Sequence, residues 1–392
     1  MTDILDVFQR AIAELRSGFS VDPRTDIFEV RAREQGASIE ISGAVSIRGV
    51  IPTLHERLMH VAAGKPVINR VVEVSSAGMQ PRPFGLVTSA IAPMLAGPLV
   101  SESQISQLLL GETVLVLREE GRWLQCRAPD GYLGWVHRGY LLRVEEKEAL
   151  AWERGDRGEL HLALEAQMVD EAGASLTRLP WGARVSVSDG RAFLPDGREG
   201  RLIGETVPAS ERNQRFPAVA EKLVSTARVW LGSPYLWGGR TLSGVDCSGF
   251  VQAIFGTYGI PLPRDSDQQA AMGALIPVPP PADEGTDCAS GDITSKGLAP
   301  DGAAPDGLAS GPSETDPPAR DFRGFRPGDL LFFAEPGHRV SHVAISTGGS
   351  GVIHSAVGRG GVAENDLAGK TDYERELRTR LVNARRLIRR EL

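Results

Sequence analysis

Hydrophobic residues in the first 78 positions change their spacing repeatedly, and the changes outline five secondary-structure elements. Apolar positions recur at helical spacing, alternate with polar positions in two strands, return to helical spacing and alternate once more. The five segments cover residues 4–19, 26–32, 38–42, 51–62 and 67–74. The pattern therefore predicts a small α+β unit over residues 1–78.

Short alternating segments separated by tight turns follow this unit. Strands are predicted over 112–117 and 123–127, and the run Asp130-Gly-Tyr-Leu-Gly-Trp-Val136 adds another. Closely spaced short strands are typical of a small barrel, here over residues 82–146. Residues 147–210 have a similar pattern without the Gly-Tyr-x-Gly-Trp run, which predicts a second, divergent barrel.

Helical and strand patterns both return in the last part of the chain. Helical spacing over Phe250–Phe255 ends near Pro261, where glycine and proline interrupt it. Farther on, Leu330–Phe333 is predicted to be a strand that is entered through the turn Arg326-Pro-Gly-Asp329. The mixture of patterns along the chain indicates an α+β protein with several domains.

Composition agrees with this organisation. The 392 residues carry a net charge of −7, with 41% hydrophobic and 24% charged residues, and the length predicts three or four domains. The acidic balance argues against nucleic acid or an anionic membrane surface as a partner. No stretch is long and apolar enough to span a bilayer, and Met1–Leu5 lacks the basic start of a secretory signal. We therefore expect a cytoplasmic protein.

Cys247 lies where a glycine-rich run meets the helical segment that contains Phe250. At that position the thiol would occupy the first turn of a helix, where backbone N–H groups have no helical partner. Those donors and the positive end of the helix dipole favour a thiolate. Cys247 is therefore a candidate nucleophile, and the alternative is a buried, inert cysteine.

Two histidines downstream can supply the base that such a nucleophile requires. His342 lies in the strand-like segment 341–346 and His354 in 352–355, and the glycine-rich run between them predicts a β-hairpin. A three-residue loop, 348–350, would place both histidines on one face. A two- or four-residue loop would place them on opposite faces unless a bulge intervened.

Four motifs, taken in order, resemble the NlpC/P60 cysteine peptidases, and the resemblance covers residues 215–392. The motifs are Asp246-Cys-Ser-Gly-Phe250, Arg326-Pro-Gly-Asp-Leu330, Ser341-His-Val-Ala-Ile345 and Ile353-His354. The resemblance implies a compact papain-like fold and cleavage of peptidoglycan stem peptides, commonly between γ-D-glutamate and the following diamino acid. It makes Cys247 the nucleophile, His342 the general base and His354 the residue that orients the base.

The two predicted barrels resemble bacterial SH3-like domains, because of the Gly-Tyr-Leu-Gly-Trp run in the first. The expected fold is thus an α+β multidomain chain, in which a small N-terminal unit and two SH3-like barrels precede the papain-like domain. This order resembles the γ-D-glutamyl-L-diamino acid endopeptidases of murein peptide recycling. In those enzymes the first barrel caps the groove and leaves room for a stem peptide with a free N-terminal L-alanine.

The same resemblance suggests which residues bind the peptide. Tyr132 matches the recognition tyrosine of the first barrel, and Glu102 is our candidate for its acidic partner. A carboxylate beside the nucleophile suits a substrate ammonium ion, although Asp246 could also be the helix cap and Tyr132 could be barrel core. The remaining candidates are Ser248 and Ser266 for recognition, and Tyr235 either for the oxyanion or for packing.

Between the recognition segment and the histidines lies an insertion over residues 277–319 that is rich in proline, glycine, alanine and aspartate. It has too few large apolar residues to form a core, which predicts a flexible surface loop with Cys288 as an exposed thiol. The acidic, cysteine and histidine side chains form no metal-ligand pattern, so we expect neither metal nor cofactor.

Three other functions are compatible with this sequence. The first is a secreted peptidoglycan hydrolase that acts on intact wall, with the barrels as wall anchors. The second is a different thiol chemistry on the same fold, and the third is a non-catalytic protein that binds wall peptides. The favoured partners are murein stem peptides such as L-Ala-γ-D-Glu-diamino acid, and the preference between diaminopimelate and lysine stays open.

Overall fold

The computed structural model describes residues 3–47, 49–74, 76–280 and 320–388. Its first sheet has β2 in the centre, antiparallel to β1 and parallel to β3. The two helices pack on this sheet through Phe8, Leu54 and Ile41, which are fully buried. The elements are α1 Ile4–Gly18, β1 Phe28–Gln35, β2 Ser38–Val45, α2 Val50–Val61 and β3 Val67–Glu73. All five elements predicted from the spacing of apolar residues are confirmed.

The next strands form a seven-stranded antiparallel sheet in the order β10-β4-β7-β8-β9-β5-β6. Its core is apolar and includes Met94, Val116 and Cys126. The strands are β4 Phe84–Val87, β5 Ile91–Leu95, β6 Gln104–Leu109, β7 Thr113–Glu120, β8 Trp123–Arg127, β9 Leu133–His137 and β10 Leu141–Val144. A bidentate ion pair between Arg118 and Glu29, with distances of 2.7 and 2.8 Å, joins this sheet to the N-terminal unit.

A helix, α3 (Glu146–Arg154), leads into a small closed barrel. The barrel closes because β11 pairs with both β13 and β15, while β14 pairs with β13 and β15 and completes the ring. Its strands are β11 Glu159–Val169, β12 Ser175–Leu179, β13 Arg184–Ser188, β14 Arg191–Phe193 and β15 Glu199–Pro208. Trp181 ties the barrel to the last domain, where its indole N–H donates to the Thr257 hydroxyl at 2.9 Å.

The last domain packs helices against a six-stranded antiparallel sheet in the order β18-β23-β19-β20-β21-β22. Phe250 and Ile254 on α6 bury themselves against Val343 and Ile353 of the sheet. The elements are α4 Arg212–Arg215, α5 Ala220–Arg228, β16 Arg240–Thr241, β17 Gly244–Val245, α6 Cys247–Thr257, α7 Ser266–Gln269, β18 Ala274–Ile276, β19 Leu330–Phe333, β20 His342–Gly348, β21 Gly351–Ala356, β22 Gly361–Asp366, α8 Asp372–Thr379 and β23 Leu381–Arg386.

The turn predicted before β19 is present, because the Arg326 N–H donates to the Asp329 carboxylate at 2.8 Å. Most of the predicted insertion, including Cys288, lies outside the described residues. Among the helices in the described ranges, none combines the length and hydropathy needed to cross a membrane.

Candidate active site

Cys247 is the first residue of α6, as the glycine-rich run before it predicts. Asp246 caps the helix, and its carboxylate accepts the N–H of Gly249 at 2.7 Å. The thiol is nearly enclosed, since Cys247 is only 8% exposed. The thiol lies 4.0 Å from the backbone oxygen of Ser341, the residue directly before the strand that carries His342.

The thiol is protonated in the resting site. Burial, followed by the charge of Asp246, raises the pKa of Cys247 to about 12. The backbone N–H groups of Val343 and Ser248 and the guanidinium of Arg264 act in the opposite direction. The helix-start donors thus favour the thiolate as predicted, but burial outweighs them. A base must remove the thiol proton before attack.

The two histidines share a face, although not for the predicted reason. The loop between β20 and β21 has two residues, Gly349 and Ser350, so the prediction of a three-residue loop is wrong. A bulge compensates, because the register shifts between Ser346 and Gly348. Beyond the bulge Ile345 pairs with Ile353, which aligns position 354 with 344 and places both imidazoles on the same side.

The imidazoles form a hydrogen-bonded chain that ends on an asparagine. His342 Nε2 lies 2.6 Å from His354 Nδ1, and His354 Nε2 lies 3.1 Å from Asn365 Oδ1. Because the Asn365 carbonyl oxygen only accepts, His354 Nε2 carries the hydrogen of this contact.

This contact determines the tautomer of each ring. The Asn365 oxygen accepts the Nε2–H of His354, so the neutral ring carries its lone pair on Nδ1 and accepts the Nε2–H of His342. The Nδ1 lone pair of His342 is then free to take a proton. Burial lowers the pKa of His342 well below its usual value and that of His354 to about 4. Both rings are therefore neutral near pH 7, as a base and its positioning partner must be.

Asn365 was not among the candidates from the sequence. It lies on β22, where His354 pairs with Ala363, so Asn365 follows two residues later on the same face of the sheet. The sequence offered no clear signal for it, because Asn365 stands in the polar run 364–366 that follows a glycine-rich segment without alternation.

Two cavities meet at the nucleophile, and both Cys247 and Tyr235 line each of them. One cavity, of about 230 Å³, contains His342 and continues towards Glu376 and Arg380 on and beside α8. The other, of about 280 Å³, has the residues predicted for recognition along its wall: Tyr132, Asp246, Ser248 and Ser266, with Asp265 beside them. The cleft therefore extends to both sides of the thiol.

Asp246 has several partners inside the protein besides lining the cavity. Arg264 is fully buried and donates to both carboxylate oxygens of Asp246, at 3.0 and 2.5 Å. The N–H groups of Gly238 and Gly249 donate to the same carboxylate at 2.8 and 2.7 Å. The role of helix cap is therefore confirmed, here with an ion-pair partner, and the role of counter-ion for a substrate ammonium ion stays a prediction. Ser248 shares this network, since its hydroxyl accepts from Arg264 at 2.9 Å.

A second carboxylate, that of Asp265, lines the same cavity. The Tyr132 hydroxyl, on the loop before β9, donates to it at 3.1 Å, so Tyr132 is packed in the barrel and also reaches the cleft. Ser266 is buried and follows it at the start of α7. Glu102, our candidate from the sequence, is exposed on the loop between β5 and β6 and does not line either cavity. The structure therefore does not place Glu102 in the cleft.

Tyr235 lies close enough to the thiol for the two groups to interact electrostatically. Burial, with smaller contributions from Cys247 and Asp246, raises the pKa of the Tyr235 phenol. Its hydroxyl consequently stays protonated at neutral pH and can donate a hydrogen bond into the cleft. This placement is compatible with the expected oxyanion contact.

Known proteins resemble this chain in two regions. The profile of the NlpC/P60 family matches residues 232–381, and that of the bacterial dipeptidyl-peptidase Sh3 domain matches residues 94–141. The gamma-D-glutamyl-L-lysine dipeptidyl-peptidase of Bacillus subtilis is 26% identical over 299 residues, which cover 69% of this chain and 78% of the relative. The protein of the same name from Bacillus cereus is 27% identical over 267 residues, covering 64% and 66%.

Among solved structures, an NlpC/P60 family protein from Bacillus cereus has the same fold. It superposes with a TM-score of 0.56 at 20% identity and covers 78% of this chain and 100% of its own. The match shows that this chain shares its fold with an NlpC/P60 family protein over most of its length.

Proposed function

This chain carries an NlpC/P60 domain behind a bacterial SH3 domain, and on that basis we propose that it is a cysteine peptidase acting on peptidoglycan-derived peptides. The bond it hydrolyses is that between γ-D-glutamate and the diamino acid of murein stem peptides with a free N-terminal L-alanine. The observation that carries the proposal is the chain from Asn365 through His354 to His342, which lines the same cavity as the thiol of Cys247.

The mechanism follows from the protonation states of these groups. His342 Nδ1 takes the proton of Cys247, and the thiolate sulfur attacks the γ-glutamyl carbonyl carbon. The imidazolium of His342 is stabilised through His354, whose orientation Asn365 maintains. His342 then returns the proton to the departing amine, which leaves an L-Ala-γ-D-Glu thioester on the enzyme. Water, deprotonated by His342, hydrolyses the thioester and restores the thiol.

Donors near the thiol support the negatively charged intermediate. The helix-start N–H groups lie beside Cys247, and Tyr235, whose hydroxyl is protonated, lines both cavities with the thiol. One such preorganised donor typically contributes a factor of about 10²–10³ in rate. We assign Tyr235 to this role, with Ser248 and Ser266 in the wall that receives the peptide.

The acidic side of the cleft supports the requirement for a free amine. The carboxylate of Asp265, hydrogen-bonded by Tyr132, lines the cavity next to Cys247. A substrate ammonium ion beside Asp265 would displace water and form a charge-assisted hydrogen bond with the carboxylate. Such bonds are among the stronger polar contacts in proteins. We therefore assign to Asp265 the amine-binding role for which the sequence also suggested Asp246 and Glu102.

The test is mass spectrometry of the products from L-Ala-γ-D-Glu-meso-diaminopimelate, beside the same peptide with an acetylated N-terminus. We expect L-Ala-γ-D-Glu from the free peptide and little from the acetylated one, and no product from Cys247→Ala. Equal cleavage of both peptides would discard the amine subsite. Digestion of intact sacculi would favour a wall hydrolase, and cleavage of neither peptide would refute the proposed peptidase.

The lysine analogue of the peptide belongs in the same experiment. The diamino acid would lie in the cavity that contains Glu376 and Arg380, an ion pair in the structure. Diaminopimelate carries an ammonium and a carboxylate at the end of its side chain, whereas lysine carries only the ammonium. The ratio of the two kcat/KM values therefore measures how far this cavity distinguishes them.

A further inference from the structure

One arginine from the N-terminal unit reaches the substrate cleft. Arg24 lies on the loop between α1 and β1 and lines the same cavity as Cys247 and Asp265. It is 241 residues away from Asp265 in the chain, yet its Nη1 donates to that carboxylate at 3.0 Å. The same nitrogen contacts Asp267 at 2.6 Å. A unit outside both matched family regions therefore contributes directly to the wall of the cleft.

The loop that carries Arg24 is held in place by both neighbouring domains. The backbone oxygen of Arg24 accepts the N–H of Leu133 in the first barrel at 2.7 Å. Asp22 of the same loop accepts from Gln268 on α7 at 3.0 Å and from the Arg24 Nε at 2.9 Å. Arg24 is consequently about as enclosed as its partners, at 23% side-chain exposure against 27% for Asp265.

The charges in this cluster do not balance. Three carboxylates, those of Asp22, Asp265 and Asp267, surround the single guanidinium of Arg24. The neighbouring pair of Arg264 with an aspartate is neutral as a whole. The cluster therefore has an excess of negative charge and is suited to one further cation, such as the ammonium ion of a peptide.

Arg24 also influences the protonation of Asp265. Burial raises the pKa of the Asp265 carboxyl group, whereas Arg264, Arg24 and the Tyr132 hydroxyl lower it. Removal of Arg24 would take away one of the cations that keep this carboxylate ionised, together with a donor that fixes the position of one oxygen. A neutral or reoriented carboxyl group would bind an ammonium ion less well.

We propose that Arg24 is a positioning residue through which the N-terminal unit completes the amine subsite of the cleft. It holds the Asp265 carboxylate against the Tyr132 hydroxyl, with the excess negative charge directed to the ammonium group of the peptide. The inference rests on the proposed function, because it assumes that a free amine binds at this end of the cleft.

The test compares Arg24→Ala and Arg24→Lys with Glu29→Ala as a matched control. Glu29 also joins the N-terminal unit to the rest of the protein, through Arg118, but it lies outside the cavity lining. Arg24→Ala should raise KM for the free tripeptide about tenfold and change kcat little. A tenfold change corresponds to the loss of one charge-assisted hydrogen bond. Lysine keeps the positive charge but lacks the planar guanidinium that can bind two carboxylates at once. Arg24→Lys should therefore recover part of the lost affinity for the tripeptide.

The preference for the free over the acetylated peptide is the decisive measurement. It should fall in Arg24→Ala and stay at the wild-type value in Glu29→Ala, because a loss of docking alone would affect both variants alike. An unchanged preference in Arg24→Ala, or equal effects of both variants, would overturn the inference. Melting curves of all variants identify any that fail to fold, and Arg24→Lys then replaces Arg24→Ala.

Binding separates a failure of this inference from a failure of the proposed function. Calorimetry with L-Ala-γ-D-Glu, on Cys247→Ala with and without Arg24→Ala, needs no turnover. Weaker binding in the double variant supports the role of Arg24 even if neither tripeptide is cleaved. Equal binding by both proteins, or no binding by either, contradicts it.

Discussion

Replacing Arg264 by methionine removes one member of the buried ion pair beside the nucleophile. The side chain of Arg264 is 1% exposed and that of Asp246 is 8% exposed. The guanidinium also donates to the hydroxyl groups of Ser106, at 3.1 Å, and Ser248, at 2.9 Å. Methionine fills a similar volume without charge, so the variant isolates the loss of the guanidinium from the loss of packing.

The expected cost follows from the carboxylate that stays behind. Two unit charges 4 Å apart attract each other by about 4 kcal/mol at an effective dielectric constant of 20, and breaking a buried pair costs about 3–5 kcal/mol. The N–H groups of Gly238 and Gly249 still donate to Asp246 in the variant. We therefore expect the lower part of the range, about 3 kcal/mol, or a melting temperature lowered by roughly 6–12 °C.

Thermal unfolding followed by circular dichroism measures this effect. The control is Arg323→Met, which breaks an ion pair with Asp321 in which the arginine side chain is 90% exposed, and it should leave the melting temperature almost unchanged. The double variant Arg264→Met/Asp246→Asn should recover most of the loss, because asparagine still caps the helix and no charge is left unpaired. Equal losses in Arg264→Met and the exposed control would refute the reasoning. A double variant no more stable than Arg264→Met would assign the loss to packing.

Three further predictions concern the proposed catalytic groups. Cys247→Ala should abolish peptide release while the circular dichroism spectrum and melting temperature stay unchanged; retained turnover would exclude the thiol as the nucleophile. Asn365→Leu should lower kcat about tenfold with little change in KM, since a net hydrogen bond of about 1.4 kcal/mol to the imidazole chain is lost; steady-state kinetics would contradict this if kcat were unchanged. Burial lowers the pKa of His354 to about 4, so below pH 6.5 the unfolded chain binds a proton that the native state does not. The contribution of this group to the free energy of unfolding should be complete above pH 6.5 and fall by roughly 3 kcal/mol towards pH 4. Urea titrations at several pH values should show this fall in the wild type and not in His354→Gln.

The secondary structure of this chain could be predicted because each element has its own period. The alternation over β1, β2 and β3 and the helical stripes of α1 and α2 are local properties, and local spacing was enough to identify them. The placement of Cys247 at a helix start was predictable for the same reason. In contrast, the run 348–351, which spans the turn between the histidine strands, contains three glycines, and this permits several loop lengths. The bulge between Ser346 and Gly348 could therefore not be derived from the sequence.

The electrostatics of the cleft were beyond local reasoning because they depend on distant parts of the chain. Asp246 looked like the counter-ion of the substrate since it precedes the nucleophile, but Arg264 neutralises it from 18 residues away. Asp265, one residue after Arg264, reaches the Tyr132 hydroxyl and the guanidinium of Arg24 in two other units. Two adjacent residues thus have opposite tasks. Arg264 offsets the charge of Asp246 beside the thiol, where a neutral imidazole must act as base. Asp265 instead belongs to a cluster with excess negative charge in the same cavity, where an ammonium ion can be recognised.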